Sequence, residues 1–542
     1  MRLGVLNSEY HKIVLIKSKN MVRTSRKTPG VYTQEQDAYG ISIVAAPTDI
    51  PVFIGYTSQI FTNEKNALTH PVKVSSLAEF HMIFGTEAPQ VQFGIDPTHD
   101  SSKRINHFSF HEKDYILAPT TINYRMYSSL KFFYENGGGE CYILSIGSYD
   151  YSKNAITDTT EFKDALVLLE QETEPTMLVI PDLMEINEPT ANPFSDTYLQ
   201  DKYLNAYALQ SEMINHCARM KNRVALLDIP GGFSEPLMRT TSVQQFRASV
   251  APKQSQFNSY AAAYYPWLNT TVYSMAEISY ANINEASYPQ VAQLLTTEFT
   301  NVKGVLDPEM AKVISAFSEK PEMSLDQAQL ILQSRSKVYL LILGGILKQM
   351  NLMAPSAAIA GIFTLVDSKS GVWKSPSNVE IQSTLSPAVT IDNMGQDDLN
   401  MPLYGKSINA IREFTGRGNL VWGARTLDGN SPDWRYINVR RTTIFIEKSI
   451  QEATKAQVFE PNNANTWATL KSMITHFLDD LWKRGALAGS KPNEAFKVSI
   501  GLGSTMTDHD ILNGIMKVSI QVAIIRPSEF IEITFQQQMQ EA

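Results

Sequence analysis

The chain has 542 residues, of which 43% are hydrophobic and 19% are charged, and this composition excludes a disordered or collagen-like protein. At about 150 residues per domain, this length predicts two to four domains. The 47 Lys and Arg residues against 55 Asp and Glu give a formal net charge of −8, which argues against general nucleic-acid binding, because contacts to phosphate need an excess of basic residues.

The sequence predicts no targeting or membrane segment. The apolar run at residues 13–16 lies between Lys12 and Lys17 and is too short for the core of a signal peptide. The longest strongly apolar stretch, residues 338–347, falls well short of the roughly 20 residues that a membrane span needs, and it predicts a buried helix. The two cysteines, Cys141 and Cys217, form neither a disulfide framework nor a zinc-type pair, which favours folding in a reducing compartment.

The first 140 residues divide into an arm and a β-rich domain. Residues 1–40 are polar, with one strand-like run and a turn signal at Thr28-Pro-Gly, and they predict an extended N-terminal arm. Residues 41–140 begin with short apolar runs that are typical of strands. Within them, residues 86–126 are rich in His, Asp, Ser and Phe without a helical period, which predicts an irregular surface insertion.

The middle region, residues 141–395, has the pattern of an α/β domain. Continuous apolar runs alternate with helical patterns, and the runs lie at residues 141–146, 176–181, 223–228 and 260–268. Such runs predict a mostly parallel sheet that is covered by helices on both faces. The pattern over roughly residues 285–353 predicts a helical insertion into this domain.

The last region, residues 396–542, predicts an α+β domain. Asn465 is the expected cap of a helix over residues 466–484, and Gly485 is expected to end it. Alternating strands follow at residues 496–502 and 518–524. A last strand at residues 531–535 is predicted to be available for pairing. The fold class is therefore α/β plus α+β, in a multidomain chain.

Two carboxylates are the strongest catalytic candidates. Asp182 and Asp228 follow predicted parallel strands, at the edge where α/β enzymes place their sites. Acidic residues at this position are also common turn formers and helix caps, and no Gly-x-Ser-x-Gly motif supplies a nucleophile. We therefore favour a structural role for both, and an α/β hydrolase-like or nucleotide-dependent enzyme using Asp182 and Asp228 is the alternative.

No cofactor or metal site is predicted. The glycines at residues 137–139 precede a strand rather than a helix, which favours a tight turn over a phosphate loop. In the run at residues 107–111, alternation places the two histidines on one strand face, unlike the His-x-x-x-His of a helical zinc site. The potential metal ligands nearby, all expected to be ordinary surface residues, are Asp96, His99, Asp100, His107, His111 and Asp114.

Short motifs occur along most of the chain. They include TPGVYTQE at 28–35, FFYENGGGECY at 132–142, YYPW at 264–267, APSAAIAG at 354–361, VWGART at 421–426, YINVRR at 436–441, FEPN at 459–462 and PSEFI at 527–531. Together these motifs resemble those of contractile tail sheath proteins. They occur in the order of that family and span residues 28 to 536. The arm before Lys27 and the segments 86–126 and 285–353 depart from the family pattern.

The resemblance implies a structural protein rather than an enzyme. It implies a subtilisin-like middle domain without protease activity and a subunit that polymerises as stacked hexameric rings around an inner tube. Contraction of that polymer would drive the tube through a target envelope. The implied partners are the protein itself, the inner tube protein, and baseplate and terminal cap proteins, with no nucleic acid, no cofactor and no membrane insertion. The machine, a virion, a phage-tail-like injection particle or a related secretion apparatus, would assemble in the cytoplasm, and any release from the cell would occur by lysis.

The resemblance also implies which surfaces make contacts. Terminal segments with strand character are suited to pair with neighbouring subunits, although pairing within their own subunit is the alternative. The residues carried over to this role are Ile13, Leu15, Pro29, Gly30, Val31, Tyr32, Ile531, Ile533 and Phe535. The predicted helix 466–484 is the candidate tube-facing surface, against a merely solvated helix face. Its charged residues are Lys471, Asp479, Asp480, Lys483 and Arg484.

Overall fold

The computed structural model describes residues 42–59, 70–98, 106–191, 195, 197–233, 241–403 and 405–532. Contacts divide the chain into one unit up to Ser42 and a second unit from Ile43, and every element described below lies in the second. The predicted N-terminal arm, residues 1–40, lies outside the described residues.

The strands are named in chain order. They are β1 (Pro51–Thr57), β2 (Val72–Val74), β3 (Phe93–Thr98), β4 (His107–Phe110), β5 (Lys113–Pro119), β6 (Cys141–Ser148), β7 (Met177–Val179), β8 (Val224–Asp228), β9 (Ala261–Tyr265), β10 (Leu268–Thr270), β11 (Leu352–Met353), β12 (Thr384–Pro387), β13 (Asn409–Phe414), β14 (Gly418–Val421), β15 (Phe496–Ile500) and β16 (Val518–Val522).

The α-helices are named in the same way. They are α1 (Leu77–Phe84), α2 (Met126–Glu135), α3 (Thr160–Leu168), α4 (Tyr198–Met220), α5 (Ser242–Ser249), α6 (Tyr288–Phe299), α7 (Pro308–Ser315), α8 (Leu325–Arg335), α9 (Lys337–Met350), α10 (Ser356–Ser370), α11 (Asn393–Asn400), α12 (Ile437–Thr454), α13 (Ala464–Lys483), α14 (Pro492–Ala495) and α15 (Asp508–Leu512).

An eight-stranded sheet organises the larger part of the molecule. Its order is β14-β13-β9-β8-β7-β1-β6-β2. The six strands from β13 to β6 are parallel to their neighbours, and the edge strands β14 and β2 are antiparallel. The predicted mostly parallel sheet is confirmed.

Both faces of this sheet are buried, as the continuous apolar runs require. In β1, Phe53 packs into a core with α2 and α10, whereas Val52 and Ile54 pack into a core with α3 and α4 on the opposite face. All three side chains are fully buried. Because successive side chains of a strand point to opposite faces, one strand contributes to both cores.

The described residues of the segment 86–126 form three strands, so the prediction of an irregular insertion is wrong. Strands β3, β5 and β4 form a three-stranded antiparallel sheet whose inner side chains, such as Phe108 and Leu117, are buried. Gln349 of α9 donates a hydrogen bond to the Leu117 carbonyl over 3.0 Å. All three strands are short, and β4 is joined to β5 by a turn at His111 and Glu112, both with positive φ. Short strands broken by a turn obscure the alternating pattern in the sequence. Because β4 ends at Phe110, His111 lies in that turn and not on the strand face of His107.

Residues 285–353 contain four helices, α6 to α9. The apolar run at residues 338–347 lies within α9, where Val338, Tyr339 and Ile342 are fully buried, as predicted for a core helix. Among the described residues no single helix is long and apolar enough to cross a membrane. Only α8 and α9 taken together pass such a test, and they are bent by 101° at their junction.

The C-terminal α+β part contains α12 to α15 and the hairpin of β15 and β16. Helix α13 begins at Ala464, and its cap is Asn463 rather than the predicted Asn465, since the Asn463 side chain accepts from the backbone N–H groups of Asn465 and Thr466. Gly485, with φ of 79°, follows the helix end as predicted. Buried side chains of α12, α13 and β15 form a separate small core. Of the predicted last strand only Ile531 and Glu532 are described, and neither is in a strand.

Candidate functional site

The two candidate catalytic carboxylates lie at the carboxyl ends of adjacent strands. Asp228 is the last residue of β8, and Asp182 follows β7 by three positions. Their exposed fractions are 4% and 0%, respectively. The sequence therefore placed them at the correct edge of the sheet, and their surroundings decide their role.

Asp182 holds the beginning of helix α2. Its Oδ1 accepts from the Arg125 backbone N–H at 2.5 Å, and its Oδ2 accepts from the Tyr56 backbone N–H at 2.7 Å. A side chain at Gly55 would collide with Oδ2, so glycine is needed beside it. Burial raises the pKa of Asp182 to about 7, although the backbone hydrogen bonds oppose the shift.

Asp228 holds the beginning of helix α10 in the same manner. Its Oδ1 accepts from the Ser356 backbone N–H at 2.8 Å, and its Oδ2 accepts from the Ser356 hydroxyl at 2.5 Å. Burial raises the pKa of this carboxyl to about 7, and the two bonds from Ser356 act against burial. Carboxylates are favoured at helix N-termini, where N–H groups lack partners within the helix.

Both carboxylates are therefore occupied by structural hydrogen bonds. The helices that they hold, α2 and α10, pack against each other on one face of the large sheet. The cavity beside Arg125, Asp228 and Ser356 has room for about one water molecule. This geometry favours the structural interpretation of Asp182 and Asp228 over the enzymatic one.

The histidine-rich segment does not assemble a metal centre in the described part of the chain. His107 Nε2 lies 3.0 Å from the Asp114 carboxylate across the β4–β5 pair, and Asp96 is exposed on β3. His99 and Asp100 lie outside the described residues. No group of three or more His, Cys, Asp or Glu side chains that could hold a metal ion occurs among the residues described.

The hairpin of β15 and β16 has no third strand among the described residues, and residues 486–488 pair only with residues 523–525, just beyond the end of β16. The two strands pair antiparallel, with Val498 opposite Ile520 and Phe496 opposite Val522. Helix α13 packs against β15. A two-stranded sheet of this kind can accept further strands along its edges.

We call residues 526–532, which follow β16, the C-terminal tail. Hydrogen bonds to the carboxylate of Glu529 hold this tail against the rest of the chain. Arg425 donates to both carboxylate oxygens of Glu529, at 3.0 and 2.6 Å, and Asn400 and Tyr436 donate at 2.7 and 3.0 Å. Directly after it, Phe530 and Ile531 are 69% and 78% exposed. Glu529 lies within the PSEFI motif, but no pattern in the sequence predicted a role for it.

The charged candidates lie on α13 or, for Arg484, at its C-terminal cap, and four of them form two ion pairs. Lys483 lies 2.7 Å from Asp479, and Arg484 lies 3.7 Å from Asp480, both at a spacing of four residues. Arg484 also lies over the Trp373 ring at 4.9 Å. Lys471 is also exposed and lies about two turns before Asp479, nearer the start of the helix. Four of these five side chains thus lie on α13, and Arg484 lies at its C-terminal cap. The candidates at Ile13, Leu15, Pro29 to Tyr32, Ile533 and Phe535 lie outside the described residues.

The C-terminal part of the chain matches a known protein family. Residues 430–538 match the phage tail sheath C-terminal domain family. The tail sheath protein of Vibrio phage KVP40 is 30% identical over 132 residues, and that of Enterobacteria phage T4 is 28% identical over 132 residues. Each match covers 24% of this chain and 19% of the relative, so the aligned segment spans about a fifth of the curated relatives.

Solved structures of contractile injection systems share the fold over nearly the whole chain. The anti-feeding prophage helical sheath in its contracted state has a TM-score of 0.55 and 24% identity, covering 95% of this chain and 100% of that one. The contracted sheath of the extracellular contractile injection system PVC has a TM-score of 0.53 and 23% identity, covering 95% and 99%. A chain of the contracted anti-feeding prophage baseplate reaches 0.57 at 22% identity, covering 96% and 99%. The predicted resemblance to contractile tail sheath proteins is confirmed.

Proposed function

We propose that this protein is the structural subunit of a contractile sheath in a phage tail or a phage-tail-like injection particle. The observation that carries the proposal is the match of residues 430–538 to the phage tail sheath C-terminal domain family. The fold shared with solved injection-system sheaths over 95% of this chain agrees with it. Such subunits would polymerise as stacked hexameric rings around an inner tube, and contraction would drive the tube through an envelope. The partners would be other copies of the chain, the tube protein, and baseplate and terminal cap proteins.

Strand exchange between subunits is the proposed means of linking neighbours. The open edges of β15 and β16 support it, because each can accept a strand through backbone hydrogen bonds. The donors would be the N-terminal arm, through Ile13, Leu15 and residues 29–32, and the end of the chain, through Ile531, Ile533 and Phe535. Each backbone hydrogen bond contributes about 1 kcal/mol net, so a strand of several residues gives a modest link that the polymer repeats many times.

The face of α13 is proposed to meet the inner tube. Its ion pairs, Asp479 with Lys483 and Asp480 with Arg484, are exposed, and exposed pairs contribute little to stability. These charges can therefore exchange partners with a tube surface at low cost. A contact of this kind can be released when the sheath widens.

Contraction would be a rearrangement of whole subunits, driven by energy stored in assembly rather than by a nucleotide. The middle domain would act as a rigid body with a subtilisin-like fold and no protease activity. The structural hydrogen bonds of Asp182 and Asp228 support a non-enzymatic role. Assembly would take place in the cytoplasm, with neither nucleic acid nor a cofactor involved.

Electron microscopy of the purified protein tests the proposal. Negatively stained samples should contain long hollow tubes, and deletion of residues 1–35 should abolish them while the circular dichroism spectrum and the melting temperature stay unchanged. Protein that stays monomeric at high concentration and with added tube protein would contradict the sheath function. Normal tubes from the truncated protein would contradict the role of the arm alone.

A further inference from the structure

We propose that Glu529 is the anchor that fixes where the C-terminal tail leaves the subunit and passes tension on that tail into the large sheet. The inference rests on the proposed sheath function, because tension arises only if the end of the chain binds a neighbour. It assigns a positioning role to a residue that makes no predicted contact with another subunit.

The carboxylate of Glu529 is the most strongly held group of the tail. It accepts four hydrogen bonds, two from Arg425 and one each from Asn400 and Tyr436. Its partner Arg425 is 1% exposed, and its remaining guanidinium nitrogen donates to the Gly429 carbonyl at 3.1 Å. Two parallel charge-assisted bonds fix both position and direction. By contrast, the Arg526 side chain of the same tail lies 3.9 Å from Asp433, and both of these groups are exposed.

A continuous chain of hydrogen bonds leads from this anchor to the large sheet. The Arg425 backbone N–H donates to the Asn409 side chain at 2.7 Å, and the Asn409 amide donates back to the Arg425 carbonyl at 2.8 Å. The same amide donates to the Ala263 carbonyl in β9 at 3.1 Å. Asn409 belongs to β13, which pairs with β9 in parallel. A pull on the tail at Glu529 therefore reaches two adjacent strands inside the sheet.

The position of the anchor along the chain is suited to this role. Just before the tail begins, the Ile525 carbonyl accepts from the Asn438 side chain at 3.2 Å. Downstream, Phe530 and Ile531 point into solvent, at the start of the segment proposed to pair with a neighbour. Glu529 thus lies at the boundary between residues that are hydrogen-bonded to their own subunit and residues that are exposed to solvent.

Spin labels can measure the anchoring directly. Nitroxides at Ser528→Cys in the tail and Leu385→Cys on β12 would report their separation, since the native Cys141 and Cys217 are buried and would stay unlabelled. Labelled subunits are diluted into unlabelled protein so that only distances within one subunit contribute. We expect a narrow distance distribution in the parent protein and one at least about twofold broader with Glu529→Gln. Tube yield, measured by sedimentation and microscopy, should fall at least about tenfold.

Two further variants keep the test decisive. Glu529→Gln leaves Arg425 buried without a counter-charge, so Tyr436→Phe, which removes one bond to the carboxylate, provides a milder perturbation with a smaller broadening. Asp433→Asn, which alters only the exposed pair of Arg526, is the matched control and should change neither measurement.

The outcomes separate this inference from the sheath function. A parent-like distance distribution in Glu529→Gln would overturn the anchor, and a loosened tail with normal tube yield would overturn its role in transmitting tension. If the parent protein forms no tubes, the sheath function fails, and with it the claim of tension, whereas the distance comparison still decides whether Glu529 fixes the tail.

Discussion

Arg441 and Asp367 form a buried ion pair between helices α12 and α10, with Arg441 nitrogens 3.0 and 2.6 Å from the two carboxylate oxygens. Their side chains are 4% and 2% exposed. Arg441 also donates to the Thr48 carbonyl at 2.9 Å and lies over the Phe363 ring at 4.5 Å. This pair joins the helix that opens the C-terminal part to the helix that Asp228 holds against the large sheet.

Breaking this pair on one side should destabilise the protein strongly. Asp367→Ala leaves the Arg441 guanidinium buried without a counter-charge, which should lower the free energy of unfolding by about 3–5 kcal/mol. The double variant Asp367→Leu with Arg441→Met removes both charges and should recover most of that loss. Denaturant unfolding measures both values. Glu452→Gln, at an exposed pair with Lys455, is the control and should have little effect; an equally small effect for Asp367→Ala would contradict the structural role of the buried pair.

Asp228→Asn should flatten the pH dependence of stability. The folded-state pKa of Asp228 is raised to about 7, above its ordinary value of 3.8, so this group stabilises the fold fully below pH 3.8 and loses that contribution as pH rises through about 7. An asparagine can accept from the Ser356 N–H and donate to its hydroxyl at every pH. The measurement is the free energy of unfolding between pH 4 and 8. The same slope in the parent protein and the variant would contradict a raised pKa at this site.

Asp182→Asn should behave differently although the two sites look alike in sequence. Both oxygens of Asp182 accept from backbone N–H groups, so an amide nitrogen would face one donor without an acceptor. We expect a loss of about 1–3 kcal/mol from the buried donor left unpaired. Because the pKa of Asp182 is also raised to about 7, this loss should be larger at pH 4 than at pH 8. Denaturant unfolding of the two variants side by side checks the contrast. If both variants still form tubes, the result argues against the enzymatic alternative, in which they would abolish an activity.

The sequence predicts a strand or helix well where the pattern lies within that element's own residues, and poorly where burial depends on residues far away in the chain. The apolar runs of β1, β7 and β8 have to be buried on both faces, and this burial makes a parallel sheet predictable. The sheet of β3, β4 and β5 was missed because its strands are short and their burial depends on α9, more than 200 residues away. The predicted places of Asp182 and Asp228 were correct for the same reason as the strands. Their roles depend on Ser356 and Arg125, which only the folded chain brings near.

The site residues show the same division. The helical pattern correctly placed Lys471, Asp479, Asp480 and Lys483 on one helix, because a helix is a local structure. Glu529 could not be found in this way, since its partners Arg425, Asn400 and Tyr436 lie about 90 to 130 residues away in the chain and converge only through tertiary packing.

The cap of α13 provides a local test of the corrected helix start. Asn463→Ala removes the acceptor for the N–H groups of Asn465 and Thr466 and should cost about 1 kcal/mol. Asn465→Ala should be neutral or slightly stabilising, because Asn465 lies inside the helix and alanine has the higher helix propensity. Thermal unfolding of the two variants distinguishes them. The reverse order of stabilities would show that the helix begins at the originally predicted position.

Charge changes on α13 should affect binding to the tube without affecting the fold. Lys471→Glu with Lys483→Glu reverses two exposed charges and should weaken co-assembly with the tube protein severalfold, more at low salt than at high salt, because exposed charges are screened. The melting temperature of the subunit should change little, since surface pairs contribute little to stability. Co-sedimentation with tube protein at two salt concentrations measures the effect.

The matched control is Lys337→Glu with Lys348→Glu, which makes an equal charge change at two exposed positions of α9. Equal losses in both double variants would point to net charge rather than to a tube-facing helix, and unchanged co-assembly in the α13 variant would contradict the assignment of this face.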